Sequence, residues 1–139
     1  MKVRISLLVS CLFFAFSIAA QGSAIPAIYE DATTIADRYQ LDDEQVIKLA
    51  DIITTRNNNL AAVESLRDAD GPTFWRKRKA IYTGQQASIK RLLTSKEQLL
   101  LFAEQHTENR KIESKLLKEM LAAGHARELA RLLVWQQLY

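Results

Sequence analysis

Phe74-Trp75-Arg76-Lys77-Arg78-Lys79 is the segment whose residue types most plainly suggest chemistry. Aromatic rings beside cations suit the apolar and acidic stretches of an unfolded client protein. They also suit a sensor domain or an anionic lipid surface. Four consecutive cations on a helix fan around its axis, so they do not all face one partner. The competing reading places Phe74 and Trp75 in the core, with the cations solvated. His106 and His125 are the only histidines, and neither has a carboxylate or a histidine four residues away. A metal site would need ligands brought together from separate helices or chains. No nucleophile motif, Gly-rich phosphate loop or catalytic carboxylate pair is present in the sequence. The expectation is a binding protein that is not an enzyme and needs no cofactor or metal.

Two helix starts look alike. In Leu41-Asp42-Asp43-Glu44-Gln45, Asp42 can cap a helix and Gln45 can reach back to the cap's own N–H. Leu41 and Val46 hold the two positions of a hydrophobic staple. Leu93-Thr94-Ser95-Lys96-Glu97 reads as a second copy, with Thr94 as cap and Glu97 as its partner. In that register the staple is imperfect, because Gln98 stands where the first copy has Val46. A second alignment sets Glu44-Gln45-Val46-Ile47 beside Glu97-Gln98-Leu99-Leu100.

The elements that carry these residues are helical throughout. A short helix is expected within 28–39. Val46, Leu49, Ala50, Ile53, Leu60, Val63 and Leu66 recur at three-to-four spacing, interrupted by Asn57 to Asn59, where a bend or fraying is expected. Asp70-Gly71-Pro72 is the clearest stop in the chain. A helix with Phe74, Ile81, Tyr82, Ile89 and Leu92 should follow from about Thr73 to Leu92, weakened by Gly84. Another starts near Ser95 and carries Leu99, Leu100, Phe102, Ala103, Ile112, Leu116, Leu117, Met120 and Leu121. Gly124 permits a break before a tail with Leu129, Leu132, Leu133, Trp135 and Leu138. That tail could lie on a membrane surface, and docking on its own bundle or on a second subunit is favoured. Period-two alternation is absent, so the class is all-α with antiparallel neighbours.

Met1 to Ala20 has the layout of a signal peptide: Lys2 and Arg4, then an apolar run, then small residues. Cleavage is expected between 19 and 25, leaving one helical domain over 25–139. The apolar run is shorter than the ~20 residues a membrane span needs. Leu8-Val9-Ser10-Cys11 matches a lipobox, but the apolar run continues past Cys11, which disfavours lipidation there. The protein is expected in the periplasm or secreted, which disfavours nucleic acid as a partner. The formal net charge of +3 falls to +1 without the signal. The remainder is split: residues 21–70 carry ten acidic and four basic side chains, and 71–139 carry thirteen basic and six acidic.

A signal peptide, a small helical chain and two such helix starts about fifty residues apart together resemble the Spy/CpxP-like periplasmic family, whose hallmark is a twice-occurring Leu-Thr-x-x-Gln motif. The first site keeps Leu41 and Gln45 with Asp42 in place of Thr. The second keeps Leu93 and Thr94, with Glu97 at the expected position and Gln98 one residue late. The resemblance implies a long bent antiparallel helical hairpin with further helices, dimerising into a thin cradle. It implies an ATP-independent chaperone or an accessory protein of envelope-stress signalling. Partners would be unfolded clients or an envelope sensor domain, with a second copy forming a homodimer. The alternatives are an adaptor that dimerises through its C-terminal helix, and a peripheral membrane-surface binder.

Overall fold

The structure is a computed structural model and describes residues 29–139. The signal-peptide reading of residues 1–20, the cleavage region and Cys11 lie outside the described residues. The described residues form six α-helices and no strand, so the chain is all-α. They are α1 (Ala32–Tyr39), α2 (Asp43–Val63), α3 (Leu66–Ala69), α4 (Gly71–Leu92), α5 (Lys96–Ala122) and α6 (Arg127–Leu138).

Capping chemistry sets most of these boundaries. Asp31 accepts the Thr34 N–H at 2.8 Å and starts α1. Gln40 ends it in the left-handed region at φ 51°, and Leu41 N–H returns to the Ala36 carbonyl at 3.0 Å. Asp70 caps α4 through the Thr73 N–H at 3.1 Å, with Pro72 in the first turn. Proline suits that place because the first N–H groups of a helix have no intrahelical partner. The expected stop at Asp70-Gly71-Pro72 is therefore also the start of α4, two residues earlier than the periodicity suggests. Gly124, at φ 87°, makes the turn between α5 and α6.

Asn57 to Asn59 do not interrupt α2, which runs unbroken for 21 residues. The expected bend is absent because packing against α4 outweighs three weak propensities. Gly84 likewise lies inside a continuous α4.

α2 and α4 pack against each other and run in opposite directions, with the start of α2 beside the end of α4. Two cores follow. The first gathers Ile35, Tyr39, Leu49, Ile89, Leu92, Leu93 and Phe102 where α1, α2, α4 and α5 converge. The second gathers Tyr82, Val134, Leu138 and Tyr139, with Leu116, Leu117 and Met120 against them, where α6 folds back over α5 and α4. The tail thus docks on its own chain. Among the described residues no helix is long and apolar enough to cross a membrane.

Several residues of the expected apolar stripes do not enter a core. Val46, Leu99, Leu100 and Leu121 are exposed, as is Ile47. The fully turned-in positions of α2 are Gln45, Leu49 and Arg56, and those of α5 are Gln98 and Phe102.

Candidate functional site

The two helix starts meet. Asp42 caps α2 as expected: it accepts the Gln45 N–H at 2.8 Å, while Gln45 Oε1 accepts the Asp42 N–H at 3.1 Å. The cap of α5 is Ser95, and its partner is Gln98. Ser95 Oγ accepts the Gln98 N–H at 3.1 Å, and Gln98 Oε1 accepts the Ser95 N–H at 3.2 Å. This corrects the assignment of Thr94 and Glu97 by one residue. Glu97 is exposed and Thr94 stands just outside the cap.

The reason for the shift lies across the interface. Gln45 and Gln98 face each other, 5% and 7% exposed. Gln45 Nε2 donates to Gln98 Oε1 at 3.1 Å, and Gln98 Nε2 donates to Gln45 Oε1 at 2.8 Å. Gln45 Nε2 also donates to the Leu92 carbonyl at 2.9 Å, and Gln98 Nε2 to the Gln40 carbonyl at 3.3 Å. Gln98 Oε1 takes the Thr94 N–H as well, at 3.0 Å. An amide both donates and accepts, so one side chain can close its own cap and grip its twin. An ionised glutamate cannot donate, and at this depth it would be a buried charge. Gln98 therefore matches Gln45, and the alignment of Gln45-Val46-Ile47 with Gln98-Leu99-Leu100 is the one the structure realises.

Leu41 and Leu93 both pack into the first core, the latter fully buried. One turn after each glutamine, Leu49 and Phe102 also enter it. The residues just after each glutamine point outward: Val46 is 38% exposed, Ile47 68%, Leu99 40% and Leu100 55%. Each start thus follows a satisfied buried glutamine with two exposed apolar side chains.

The aromatic-basic segment divides. Phe74 is fully buried, and Trp75 is half-buried edge-on to it with centroids 4.7 Å apart. The Arg78 guanidinium lies 5.2 Å from the Tyr29 ring and 5.4 Å from that of Phe74, and it donates to the Tyr139 carbonyl. Lys79 pairs with Glu113 and sits 5.0 Å from the Trp135 ring. Arg76 and Lys77 face solvent. As a binding surface the segment keeps only Arg76, Lys77 and part of Trp75. Phe74, Arg78 and Lys79 bind the tail and the core instead, because each step of about 100° along a helix turns the next side chain elsewhere.

Tyr29 belongs to the same junction. Its hydroxyl donates to the Arg78 carbonyl at 2.6 Å, and burial pushes its pKa up to about 12, against the partial relief of Arg78 and Arg56. Burial also raises Tyr82 and Tyr139. His106 is exposed and stacks on Phe102, with centroids 6.2 Å apart. Among the described residues no three His, Cys, Asp or Glu side chains group to hold a metal ion.

Sequence reasoning missed Gln85 and Arg56. Both are buried, at 5% and 8% exposure, and both line a groove between α2 and α4. A polar residue in register with Tyr82 and Ile89 was the available signal for Gln85. Compared with known protein families, characterised proteins and solved structures, the chain finds no match.

Proposed function

We propose that the protein is an exported binding protein of the Spy/CpxP-like kind, an ATP-independent chaperone or an accessory protein of envelope-stress signalling. The observation that carries this reading is the meeting of the two motif copies through Gln45 and Gln98. A twice-occurring motif whose copies close on each other is a structural unit, and chance likeness between two helix caps does not require them to touch. The exposed Val46 and Ile47 of α2, and Leu99 and Leu100 of α5, support client binding, since apolar side chains left at a surface are available to the apolar stretches of a client. Leu99 and Leu100 follow the exposed Lys96, which suits clients with acidic as well as apolar stretches. Dimerisation into a cradle, export to the periplasm and action on a sensor domain belong to the same proposal.

The test is aggregation of a chemically unfolded client with the purified protein and no ATP. Suppression near stoichiometric protein is expected, and Ile47→Ser with Leu100→Ser should weaken it severalfold without loss of helicity. Unimpeded aggregation at stoichiometric protein would sink the chaperone reading. Retention on anionic vesicles at low salt, lost at high salt, would favour the membrane-surface alternative instead.

A further inference from the structure

The groove between α2 and α4 has a volume of about 600 Å³, and Asp51, Thr55, Arg56, Gln85, Ser88 and Arg91 contribute its polar lining. Gln85 is as deeply buried as Gln45 and Gln98, yet neither its Nε2 nor its Oε1 has a hydrogen-bond partner. Natural folds pair nearly all buried polar groups, and the two other buried glutamines among the described residues obey that rule completely. An orphaned side-chain amide at a groove asks for one partner that accepts and one that donates.

Arg56 adds a second observation. It is 8% exposed and donates to the Glu30 carbonyl at 2.6 Å and to Asn57 Oδ1 at 3.1 Å. Among the described residues no carboxylate lies within ion-pair distance of it, nor of the exposed Arg91, which bonds only Ser88 Oγ, at 3.1 Å. The lining thus holds two cations and a single carboxylate, Asp51. A buried guanidinium keeps its charge at a desolvation cost that an anion would offset.

On these grounds, and resting on the client-binding reading above, we infer that the α2/α4 groove binds an extended acidic peptide segment. The Gln85 amide is closed off in the free protein, so binding turns it toward the groove, where one peptide unit of that segment gives it a C=O and an N–H. A neighbouring carboxylate meets the exposed Arg91 guanidinium. The chemistry selects this ligand class. A peptide bond is the commonest group that presents a donor and an acceptor together, and a carboxylate answers the surplus positive charge of the lining. The dimensions agree: from Asp51 to Asn59 the lining follows α2 for about 12 Å, which spans roughly three to four extended residues. Gly84 leaves the wall open at the height of Gln85, where a Cβ would meet nothing within 4 Å.

Fluorescence anisotropy of a labelled, capped peptide of Ser, Val and Glu with the full protein tests this. Three changes should weaken binding: Glu→Gln in the peptide and Arg91→Gln in the protein, each by about tenfold, and backbone N-methylation of the peptide. Gln85→Leu should weaken binding about fivefold while raising the melting temperature of the free protein, because it removes the orphaned amide. Arg91 is exposed, so its variant reads binding even where a Gln85 variant folds poorly. No binding by the unsubstituted protein overturns the inference, as does unchanged binding by Gln85→Leu or by the N-methylated peptide. The chaperone assay on the same variants keeps the two readings apart. Full suppression without any peptide binding leaves chaperoning intact and removes the groove. Peptide binding that depends on Gln85, without any suppression, does the reverse.

Discussion

At the scale of single residues, the Gln45–Gln98 pair shows how a buried polar contact acquires specificity. Each amide caps its own helix, grips its twin and satisfies a backbone carbonyl from a third element. Replacing one by leucine keeps the bulk but strips partners from groups that stay buried, so Gln45→Leu and Gln98→Leu should each cost about 1–3 kcal/mol. The double variant should cost less than the sum, by about 1 kcal/mol or more, because it removes both members of the mismatch together. Urea denaturation of the four proteins measures this, and strict additivity would refute the pairing. Tyrosine ionisation acts at the same scale. Burial holds the Tyr29 hydroxyl at about 12, against its ordinary 10.0, and raises Tyr82 and Tyr139 as well. The unfolded chain therefore releases these protons first. Stability should be intact below pH 10 and should fall as pH climbs from there through about 12. Circular dichroism alongside tyrosinate absorbance checks it: the protein should lose helix as the tyrosines ionise, and full tyrosinate formation in a still-helical protein would contradict the burial.

Among the elements, the helices were legible in the sequence and their facing was less so. The Asp42 cap, the stop at Asp70 and the turn at Gly124 follow from side-chain chemistry within a few residues, and they stand where the chain puts them. The second cap was misplaced by one residue because Thr94 and Ser95 are both competent caps. The choice between them depends on Gln45, which lies about fifty residues away in the chain. The same limit explains Val46, Leu99 and Leu100: periodicity puts them on a stripe, but which edge of the stripe is covered depends on where α1 and α4 pack. Arg78 and Lys79 could not be told from Arg76 and Lys77 for the same reason, since only the docked tail separates them. Gly84 gives a direct test of element-level reasoning. It lies in the interior of α4 with open space around its missing Cβ, so helix propensity alone should decide the outcome. Gly84→Ala should raise stability by roughly 0.5–1 kcal/mol. An unchanged or lower melting temperature would show that α4 needs the glycine for a reason other than access to the groove.

Across the whole molecule, the acidic first half and basic second half are not neutralised by pairing between α2 and α4. Among the described residues the ion pairs are mostly local, and Lys79–Glu113 is the one that joins two helices. The charge asymmetry therefore remains at the surface, where it can attract partners or a second copy. The tail decides a separate matter. Ala130, Val134, Leu138 and Tyr139 are buried against α4 and α5, and Arg78 holds the Tyr139 carbonyl. Burying the larger of these side chains contributes about 1.5–3 kcal/mol each. Together that is a large share of the roughly 5–15 kcal/mol that keeps a domain folded. Removing residues 127–139 would uncover Tyr82, Leu116, Leu117 and Met120 at once. The shortened chain should bind a hydrophobic dye, melt at lower temperature and self-associate more, as read by sedimentation velocity. A tail serving mainly to join two copies would behave in the opposite way. Its loss would turn a dimer into a folded monomer with an unchanged melting temperature, and the intramolecular docking of α6 would then have to be abandoned.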